Sequence, residues 1–319
     1  MKKLVLLIAF SIVCNYGYSQ SKKLFRLASK TENLQEKIDL YTQIITLEPK
    51  NLDAYFYRGL AKNNSGDYLG AIVDYSKIIL IDPDADTYYN RANSRYSIKD
   101  FEGALEDYKK AYETDPNFVA ALYSLGCVKY DLGQYEEAIK DFTKVIKATP
   151  YNPKTYFIRA ASYEALEYYN EAAKDYTLAI MVSPTADSYY NRGVFYLSIN
   201  YYSQANDDFN ISLKLNKKNS YTYFYRGVSQ FLLGKFNNAV SDFQSALEFD
   251  SLDFDAMLGL AICLSYLDHT EQAKMYLDKA SNIINVNSNN KNLEDYQNTY
   301  WYQNRLQYLQ QMLEKLNNI

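Results

Sequence analysis

The feature that most constrains this chain is an internal period of 33 or 34 residues. Five of the six prolines keep the same step, at Pro49, Pro83, Pro116, Pro150 and Pro184. A fixed period of this length indicates one helix-turn-helix unit copied along the chain, because a single helical pair cannot bury its apolar face and must stack on neighbours. Function is therefore expected on a surface and not in a closed pocket. The alanines that mark the period are Ala71, Ala104, Ala138, Ala172, Ala205, Ala239 and Ala273.

Within each unit, small and aromatic residues alternate at fixed positions. Positions are numbered from the first residue of the unit that spans residues 52–84. Position 8 is Gly59 in this unit, and it is glycine or alanine in every later unit. Position 17 is Tyr68 in this unit and position 24 is Tyr75. Both positions are aromatic in every later unit except the last. We expect the small residues to let the two helices approach and the rings to fill the space around that contact. Proline at position 32 ends the second helix.

This pattern resembles the tetratricopeptide repeat, a helical hairpin about 34 residues long. The resemblance implies an all-α, right-handed superhelical solenoid of about eight hairpins with a C-terminal capping helix. The first unit is degenerate, since Phe25 and Lys37 stand where small residues belong and only its second helix is clear. The expected organisation is a signal peptide at 1–19, a degenerate N-terminal capping repeat at 20–51, seven repeats at 52–285, and an asparagine-rich loop with a capping helix at 286–319.

The residue inventory disfavours catalysis and nucleic-acid binding. The formal net charge is −4, and no basic block or aromatic-basic stripe is present, so nucleic acid is not an expected ligand. The single histidine, His269, falls in a turn and can neither complete a zinc site nor activate a nucleophile alone. Cys127 and Cys263 lie four units apart, too far for a disulfide, and are interpreted as packing residues. We therefore predict no enzyme, metal or cofactor.

The N-terminal residues have the pattern of a secretory signal peptide. Lys2 and Lys3 precede an apolar run over residues 4–14, and small residues at Gly17 and Ser19 mark a cleavage site before Gln20. The run is too short for a transmembrane helix, and no other segment reaches the required length. We expect a periplasmic or secreted protein without a transmembrane span. Lipid anchoring at Cys14 is the alternative.

Opposite charges recur at two positions of the repeat. Arginine at position 7 accompanies aspartate at position 23 in five units, and we interpret each pair as a bridge between helices, because a partly buried guanidinium must be neutralised. The alternative is an arginine ladder for anionic ligands. The arginines are Arg58, Arg91, Arg159, Arg192 and Arg226, and the aspartates are Asp74, Asp107, Asp141, Asp175, Asp208 and Asp242, with Leu125 facing Asp141.

The resemblance also implies a ligand surface, the concave face formed by first-helix positions 2, 5, 6, 9, 12 and 13. We expect the rings at position 5 to be exposed in the groove and not packed between helices. Asn90, Asn93 and Asn191, at positions 6 and 9, are expected to bond to the backbone of an extended peptide. The row at position 5 consists of Phe56, Tyr89, Tyr123, Phe157, Tyr190 and Phe224.

These features predict an exported scaffold that binds an extended segment of a partner protein in a tyrosine-rich groove. An envelope-associated glycan-binding protein that uses the same rings is the alternative. An acidic chaperone tail is not expected, because Asp53, Asp86, Asp187 and Asp255 at position 2 would repel it.

A final helix is expected from about Leu293 to Asn318. It should cover the end of the stack, with a homodimer seam as the alternative. Its apolar stripe is predicted to be Tyr302, Leu306, Leu309, Leu313 and Leu316.

Overall fold

The computed structural model describes residues 19–284 and 292–317, and all regular structure in these ranges is helical. The predicted all-α fold of repeated helical hairpins is confirmed. Residues 1–18, which make up nearly all of the signal peptide expected at 1–19, lie outside the described residues, as do residues 285–291 and 318–319. The first nine helices are α1 (19–28), α2 (Leu34–Leu47), α3 (Leu52–Asn64), α4 (Tyr68–Ile79), α5 (Ala85–Ser97), α6 (Phe101–Thr114), α7 (Val119–Asp131), α8 (Tyr135–Ala148) and α9 (Pro153–Ala165). The others are α10 (Tyr169–Val182), α11 (Ala186–Ser198), α12 (Tyr202–Leu215), α13 (Ser220–Leu232), α14 (Phe236–Phe249), α15 (Phe254–Tyr266), α16 (Thr270–Ile283), a 3-10 turn (Leu293–Tyr296) and α17 (Tyr300–Asn317).

The chain divides into two compact units, Met1–Glu167 and Tyr168–Ile319. In the N-terminal unit, α3 packs on α4, α5 on α6 and α7 on α8, and each second helix also packs on the next first helix. In the C-terminal unit, α11/α12, α13/α14 and α15/α16 repeat this arrangement, and α17 packs on α15. None of the helices in the described ranges is long and apolar enough to cross a membrane.

Local chemistry sets where these helices begin. Asn51 caps α3 by accepting a hydrogen bond from the backbone N–H of Ala54 at 3.0 Å, and Asp84 caps α5 through Thr87 N–H at 2.8 Å. Between the two helices of each repeat, one residue at position 15 adopts a positive φ, which reverses the chain. This residue is Gly66, Lys99, Gly133, Glu167, Asn200, Gly234 or Asp268, with φ between 60° and 86°.

The small and aromatic positions form the core as predicted. The alanines at position 20 are fully buried in every hairpin from α3/α4 to α15/α16. A Cβ added at Gly59 would lie 2.8 Å from the Tyr75 ring, and one at Gly126 would lie 2.6 Å from the Phe142 ring. The small residue at position 8 therefore provides the space that the ring at position 24 occupies.

The first hairpin contains both helices, although only the second was clear from the sequence. Leu24 and Ala28 of α1 pack with Tyr41 and Ile44 of α2. Phe25 stands where a small residue was expected, and its ring meets that of Tyr41 with centroids 5.6 Å apart. An aromatic contact thus replaces the usual small-residue contact here.

The stripe predicted for the final helix is only partly correct. Leu309, Leu313 and Leu316 are buried, but Leu306 is 40% exposed, and the buried residues also include Trp301 and Met312. The reason is a break at Arg305, whose φ of −144° and ψ of 40° are non-helical. The break changes the direction in which side chains before Arg305 point relative to those after it. A single heptad stripe therefore does not describe the whole of α17.

Candidate binding surface

A charged network joins the two helices of four hairpins. In α11/α12, Nε and Nη2 of Arg192 each donate to the Asp208 carboxylate at 2.7 Å. The arginine side chains are 15–21% exposed and the aspartates 1–6%. Because the paired carboxylate occupies the guanidinium fork, the structural interpretation of these pairs is confirmed. The other three are Arg58–Asp74, Arg91–Asp107 and Arg226–Asp242.

Each of these arginines also bonds to the preceding hairpin, a contact that the sequence analysis missed. Nη1 donates to a polar side chain on the preceding second helix at 2.9–3.1 Å. Arg159 makes the same bond to Thr143. The guanidinium therefore links two hairpins as well as two helices of one hairpin. The acceptors for Arg58, Arg91, Arg159, Arg192 and Arg226 are Thr42, Ser76, Thr143, Thr177 and Asn210, respectively.

The acceptor and the arginine occur together along the chain. Leucine replaces the arginine at Leu125 and Leu260, and the residues at the acceptor position before them are Lys109 and Gln244, not a small polar residue. In the hairpin of Leu125, Lys129 takes over the pairing of Asp141. Position 25, where the acceptor lies, was the signal in the sequence that could have shown this junction.

The aromatic row in the N-terminal unit is half-buried, contrary to the expectation of exposed rings. Phe56, Tyr89, Tyr123 and Phe157 are all of intermediate exposure. The Tyr89 ring lies 5.7 Å from that of Tyr108 and 4.9 Å from that of Phe118. Phe56 meets Tyr75 at 6.0 Å, and Tyr123 meets Phe142 at 5.9 Å. The ring at position 5 therefore packs on the ring at position 24, which itself fills the space over the small residue at position 8.

The three asparagines predicted for peptide binding differ in their surroundings. Asn191 is exposed. Asn90 donates through Nδ2 to the carbonyl oxygen of Asp86 at 2.8 Å. Asn93 accepts a bond from the Tyr108 hydroxyl at 2.7 Å, so its carbonyl oxygen already has a partner within the hairpin.

In the C-terminal unit, α17 covers the positions that were predicted to line the groove. It contacts position 12 of α11, where Arg305 Nη2 donates to the carbonyl oxygen of Leu197 at 3.3 Å. On α13, the ring of Tyr308 lies 5.0 Å from that of Phe231, also at position 12. On α15, the Tyr266 hydroxyl donates to Gln311 at 2.6 Å. The final helix therefore lies across the first helices of three hairpins and does more than cover the end of the stack.

The N-terminal turn of α17 is held most closely. The Tyr300 ring meets those of Phe224 at 5.2 Å and Tyr225 at 5.9 Å. The backbone N–H of Tyr300 donates to the Asp255 carboxylate at 2.8 Å, and Trp301 Nε1 donates to the Asp255 carbonyl oxygen at 2.8 Å. Phe224, predicted as an open groove residue, is consequently only 6% exposed.

The burial of Asp255 beneath α17 raises the pKa of its carboxyl group. Burial raises the pKa of Asp255 to about 7, and the nearby charge of Asp253 adds to the increase, whereas the hydrogen bond from Tyr300 N–H opposes it. Docking of α17 therefore places a carboxyl group that titrates near neutral pH beneath the helix.

The remaining candidate chemical groups match packing or surface roles. Burial raises the pKa of the Cys127 thiol to about 11, which disfavours the reactive thiolate. Cys263 is buried and His269 is exposed. No group of three or more potential metal ligands lies together in residues 19–284 and 292–317.

Comparison with known proteins agrees with the fold. The sequence model of the tetratricopeptide repeat matches residues 85–118 and 119–152, and a second model of the same repeat matches residues 153–185. The chain therefore contains tetratricopeptide repeats, as predicted. Comparison with curated proteins gives no match.

Solved structures show the same architecture over most of the chain. A tetratricopeptide repeat protein from Parabacteroides merdae covers 82% of this chain and 99% of its own, with 18% identity and a TM-score of 0.58. Cut9–Hcn1 of the APC/C covers 93% of this chain and 55% of that one, with 16% identity and a TM-score of 0.52. YrrB, described as a tetratricopeptide repeat protein with an unusual peptide-binding site, covers 56% of this chain and 93% of its own, with 21% identity and a TM-score of 0.48.

Proposed function

We propose that this protein is an interaction scaffold that binds a segment of a partner protein across the first helices of its N-terminal unit. The observation that carries the proposal is the difference between the two units. In the C-terminal unit, a helix of the chain itself lies over the position-5 ring Phe224. In the N-terminal unit, the corresponding rings, among them Phe56, Tyr89 and Tyr123, keep intermediate exposure. A surface that accepts one polypeptide segment is suited by chemistry to accept another.

The half-buried rings favour a peptide ligand over the glycan alternative. Stacking of a sugar requires an open ring face, and the contacts with the position-24 rings of Tyr75, Tyr108 and Phe142 cover part of each ring. A polypeptide can instead use ring edges, backbone hydrogen bonds and the exposed carboxylates of Asp53 and Asp86. Release of a captured partner by soluble cell-wall oligosaccharide would reverse this preference.

The test is capture followed by mutation of the row. The mature chain is crosslinked in its native envelope, the captured protein is identified, and its Kd is measured. Tyr89→Leu combined with Tyr123→Leu should weaken binding at least tenfold, since an aromatic hot spot contributes about 2 kcal/mol or more. Leucine retains much of the apolar contact with Tyr108 and Phe142, so helicity should be preserved.

The control is Tyr112→Leu, the same substitution at a half-buried tyrosine on the second helix α6. It should leave the Kd unchanged. If the double variant and the control bind the partner equally well, the proposed surface is wrong.

We further propose that the chain is exported. The supporting observations are Lys2 and Lys3, the apolar run over residues 4–14 and the small residues before Gln20. Mass analysis of native material should give an N-terminus at Gln20 in a periplasmic or extracellular fraction. A mature protein that starts at Met1 contradicts export, and a lipid on Cys14 would instead indicate membrane anchoring.

A further inference from the structure

The pentapeptide Tyr-Phe-Tyr-Arg-Gly occurs twice in the chain, at residues 55–59 in α3 and 223–227 in α13. In both places, the following hairpin carries an aspartate at position 2, Asp86 in α5 and Asp255 in α15. Each of the two compact units therefore contains one copy of the same Phe-Tyr pair with the same acidic neighbour. We call these the N-terminal and C-terminal copies of the pocket.

The rings of the two copies have the same geometry. Tyr57 stacks on Tyr41 of the preceding hairpin at 5.8 Å and 20°, and Tyr225 stacks on Phe209 at 6.3 Å and 21°. Phe56 and Tyr57 meet edge to face at 85°, and their counterparts Phe224 and Tyr225 meet at 77°. The two copies thus agree in shape as well as in sequence.

The C-terminal copy shows what this pocket binds. Tyr300, the first residue of α17, places its ring against Phe224 and Tyr225 in edge-to-face contacts at 88° and 85°. Its backbone N–H donates to the Asp255 carboxylate at 2.8 Å. The Asp255 side chain therefore accepts a hydrogen bond from an N–H at a helix N-terminus that has no partner within the helix.

The N-terminal copy is an open cleft of about 300 Å³. Its Tyr57 is 47% exposed, whereas Tyr225 is partly buried. Asp53 stands where the C-terminal copy has Tyr221, which adds a carboxylate to the rim. The aromatic and acidic residues of its lining are Phe56, Tyr57, Asp53, Asp82, Asp84 and Asp86.

We propose that the N-terminal copy binds the first turn of a helix in a partner protein, a helix that begins with an aromatic residue and carries a basic residue near it. The aromatic ring lies against Phe56 and Tyr57, as Tyr300 lies against Phe224 and Tyr225, and the leading N–H bonds to Asp86. The basic residue follows from the extra carboxylate of Asp53. This inference rests on the proposed function, since it defines one end of the bound segment.

The chain's own α17 does not serve as the natural occupant of the N-terminal copy. Trp301 beside Tyr300 is fully buried against Phe231 and Phe243, so undocking α17 would expose these rings. The partner segment therefore comes from a different protein, although the α17 sequence supplies a probe of the correct chemistry.

The experiment titrates a dye-labelled synthetic peptide with the sequence of residues 297–315 into the full mature chain and measures fluorescence anisotropy. We expect saturable binding. Tyr300→Ala in the peptide and Asp86→Asn in the chain should each weaken it at least fivefold. The matched control is Asp187→Asn, because Asp187 is an exposed aspartate in the first turn of α11, and it should have no effect.

A second measurement distinguishes the two copies. A benzophenone placed at Gln303 of the peptide should crosslink to α3 and α5 on irradiation, as mapped by mass spectrometry. Crosslinks to α13 and α15 would mean exchange with α17 and would overturn the placement. The absence of binding up to the peptide's solubility limit, or binding indifferent to Asp86→Asn, would overturn the pocket.

The experiments distinguish failure of this pocket assignment from failure of the proposed function. If Tyr89→Leu with Tyr123→Leu abolishes capture of the partner while Asp86→Asn leaves it intact, the surface is correct and this assignment of its end is wrong.

Discussion

At the scale of single residues, each paired arginine makes three directed bonds that lie on two hairpins. Arg192 bonds twice to Asp208 and once to Thr177. Its aspartate is nearly buried, and a buried carboxylate that loses its counter-charge is costly. What matters for stability is therefore whether a second cation remains when the arginine is removed.

The hairpins differ in that respect, which gives a first prediction. Asp74 is paired with Lys62 at 2.9 Å as well as with Arg58. In the described ranges, Arg192 is the only cation within ion-pair distance of Asp208. Arg192→Leu should therefore lower the free energy of unfolding by about 3 kcal/mol, and Arg58→Leu by about 1 kcal/mol, as measured by urea denaturation.

A rescue variant checks the mechanism. Tyr196 occupies, in α11, the position that Lys62 holds in α3. Adding Tyr196→Lys to Arg192→Leu should restore part of the lost stability, because the new ammonium would lie near Asp208. Equal losses for Arg58→Leu and Arg192→Leu would show that counter-charge is not the controlling factor.

The turn residues give a second prediction. Gly133 has a φ of 73°, and an added Cβ would meet no atom within 4 Å. Gly133→Ala should therefore cost only the backbone strain, about 1 kcal/mol. Lys99 has a φ of 62° at the same position, so Lys99→Gly should not lower the midpoint of thermal unfolding, and a loss there as large as that of Gly133→Ala would contradict the strain argument.

At the scale of elements, the repeat positions predicted the hairpins but not the docking of α17. Periodicity shows which residues face a neighbouring hairpin, and α17 lies outside the repeat. Its stripe was also misread at Leu306, because nothing in the apolar spacing indicates the break at Arg305. The pairing of Phe56-Tyr57 with Asp86 was visible in the sequence, but its meaning depended on seeing Tyr300 in the other copy.

The acidity of Asp255 gives a third prediction. Its pKa is about 7 in the folded protein against a usual value of 3.8, so the folded state binds the proton more tightly than the unfolded state. The stability contribution is therefore full below about pH 4 and is lost as pH rises toward 7, with little further change above. Asp255→Asn, which stays neutral, should remove this dependence.

The measurement compares wild type with Asp255→Asn from pH 4 to 8 by urea denaturation, following Trp301, the only tryptophan in the chain. Relative to wild type, the variant should gain on the order of 4 kcal/mol between pH 4 and pH 8, because the pKa differs by about three units and each unit corresponds to about 1.4 kcal/mol. Asp187→Asn is the matched control. A difference between Asp255→Asn and wild type that does not change with pH would show that Asp255 does not titrate beneath α17.

At the scale of the whole molecule, the division at Glu167 and Tyr168 gives a fourth prediction. Stability in repeat proteins is approximately a sum over repeats and their nearest neighbours, so the two units need not unfold together. Tyr75 is fully buried in the N-terminal unit. Tyr75→Ala should shift the denaturation midpoint seen by far-UV circular dichroism and leave that of Trp301 fluorescence unchanged.

Phe209→Ala, a fully buried ring in the C-terminal unit, is the counterpart and should lower the Trp301 midpoint. If Tyr75→Ala lowers both midpoints equally, the chain unfolds as one cooperative body.

The fold of the whole chain was predictable because many coincident positions carry one period, from the buried alanines to the rings beside Gly59 and Gly126. The exposure of the aromatic row was not predictable. Whether a ring at position 5 faces solvent or its neighbour depends on the size of the ring at position 24 and on the room left at position 8, which are properties of packing and not of spacing.

The third bond of each guanidinium has a consequence for rearranging the chain by whole hairpins. Junctions before Arg91 or Arg192 require a small polar acceptor, whereas the junction before Leu125 follows Lys109. Deleting residues 119–152 would bring Lys109 to the acceptor place of Arg159 and set two cations together. A hairpin can therefore be removed, duplicated or transplanted without loss of stability only where the position-25 residue before the new junction suits the position-7 residue after it. The order of the hairpins is thus constrained by the residues at their junctions.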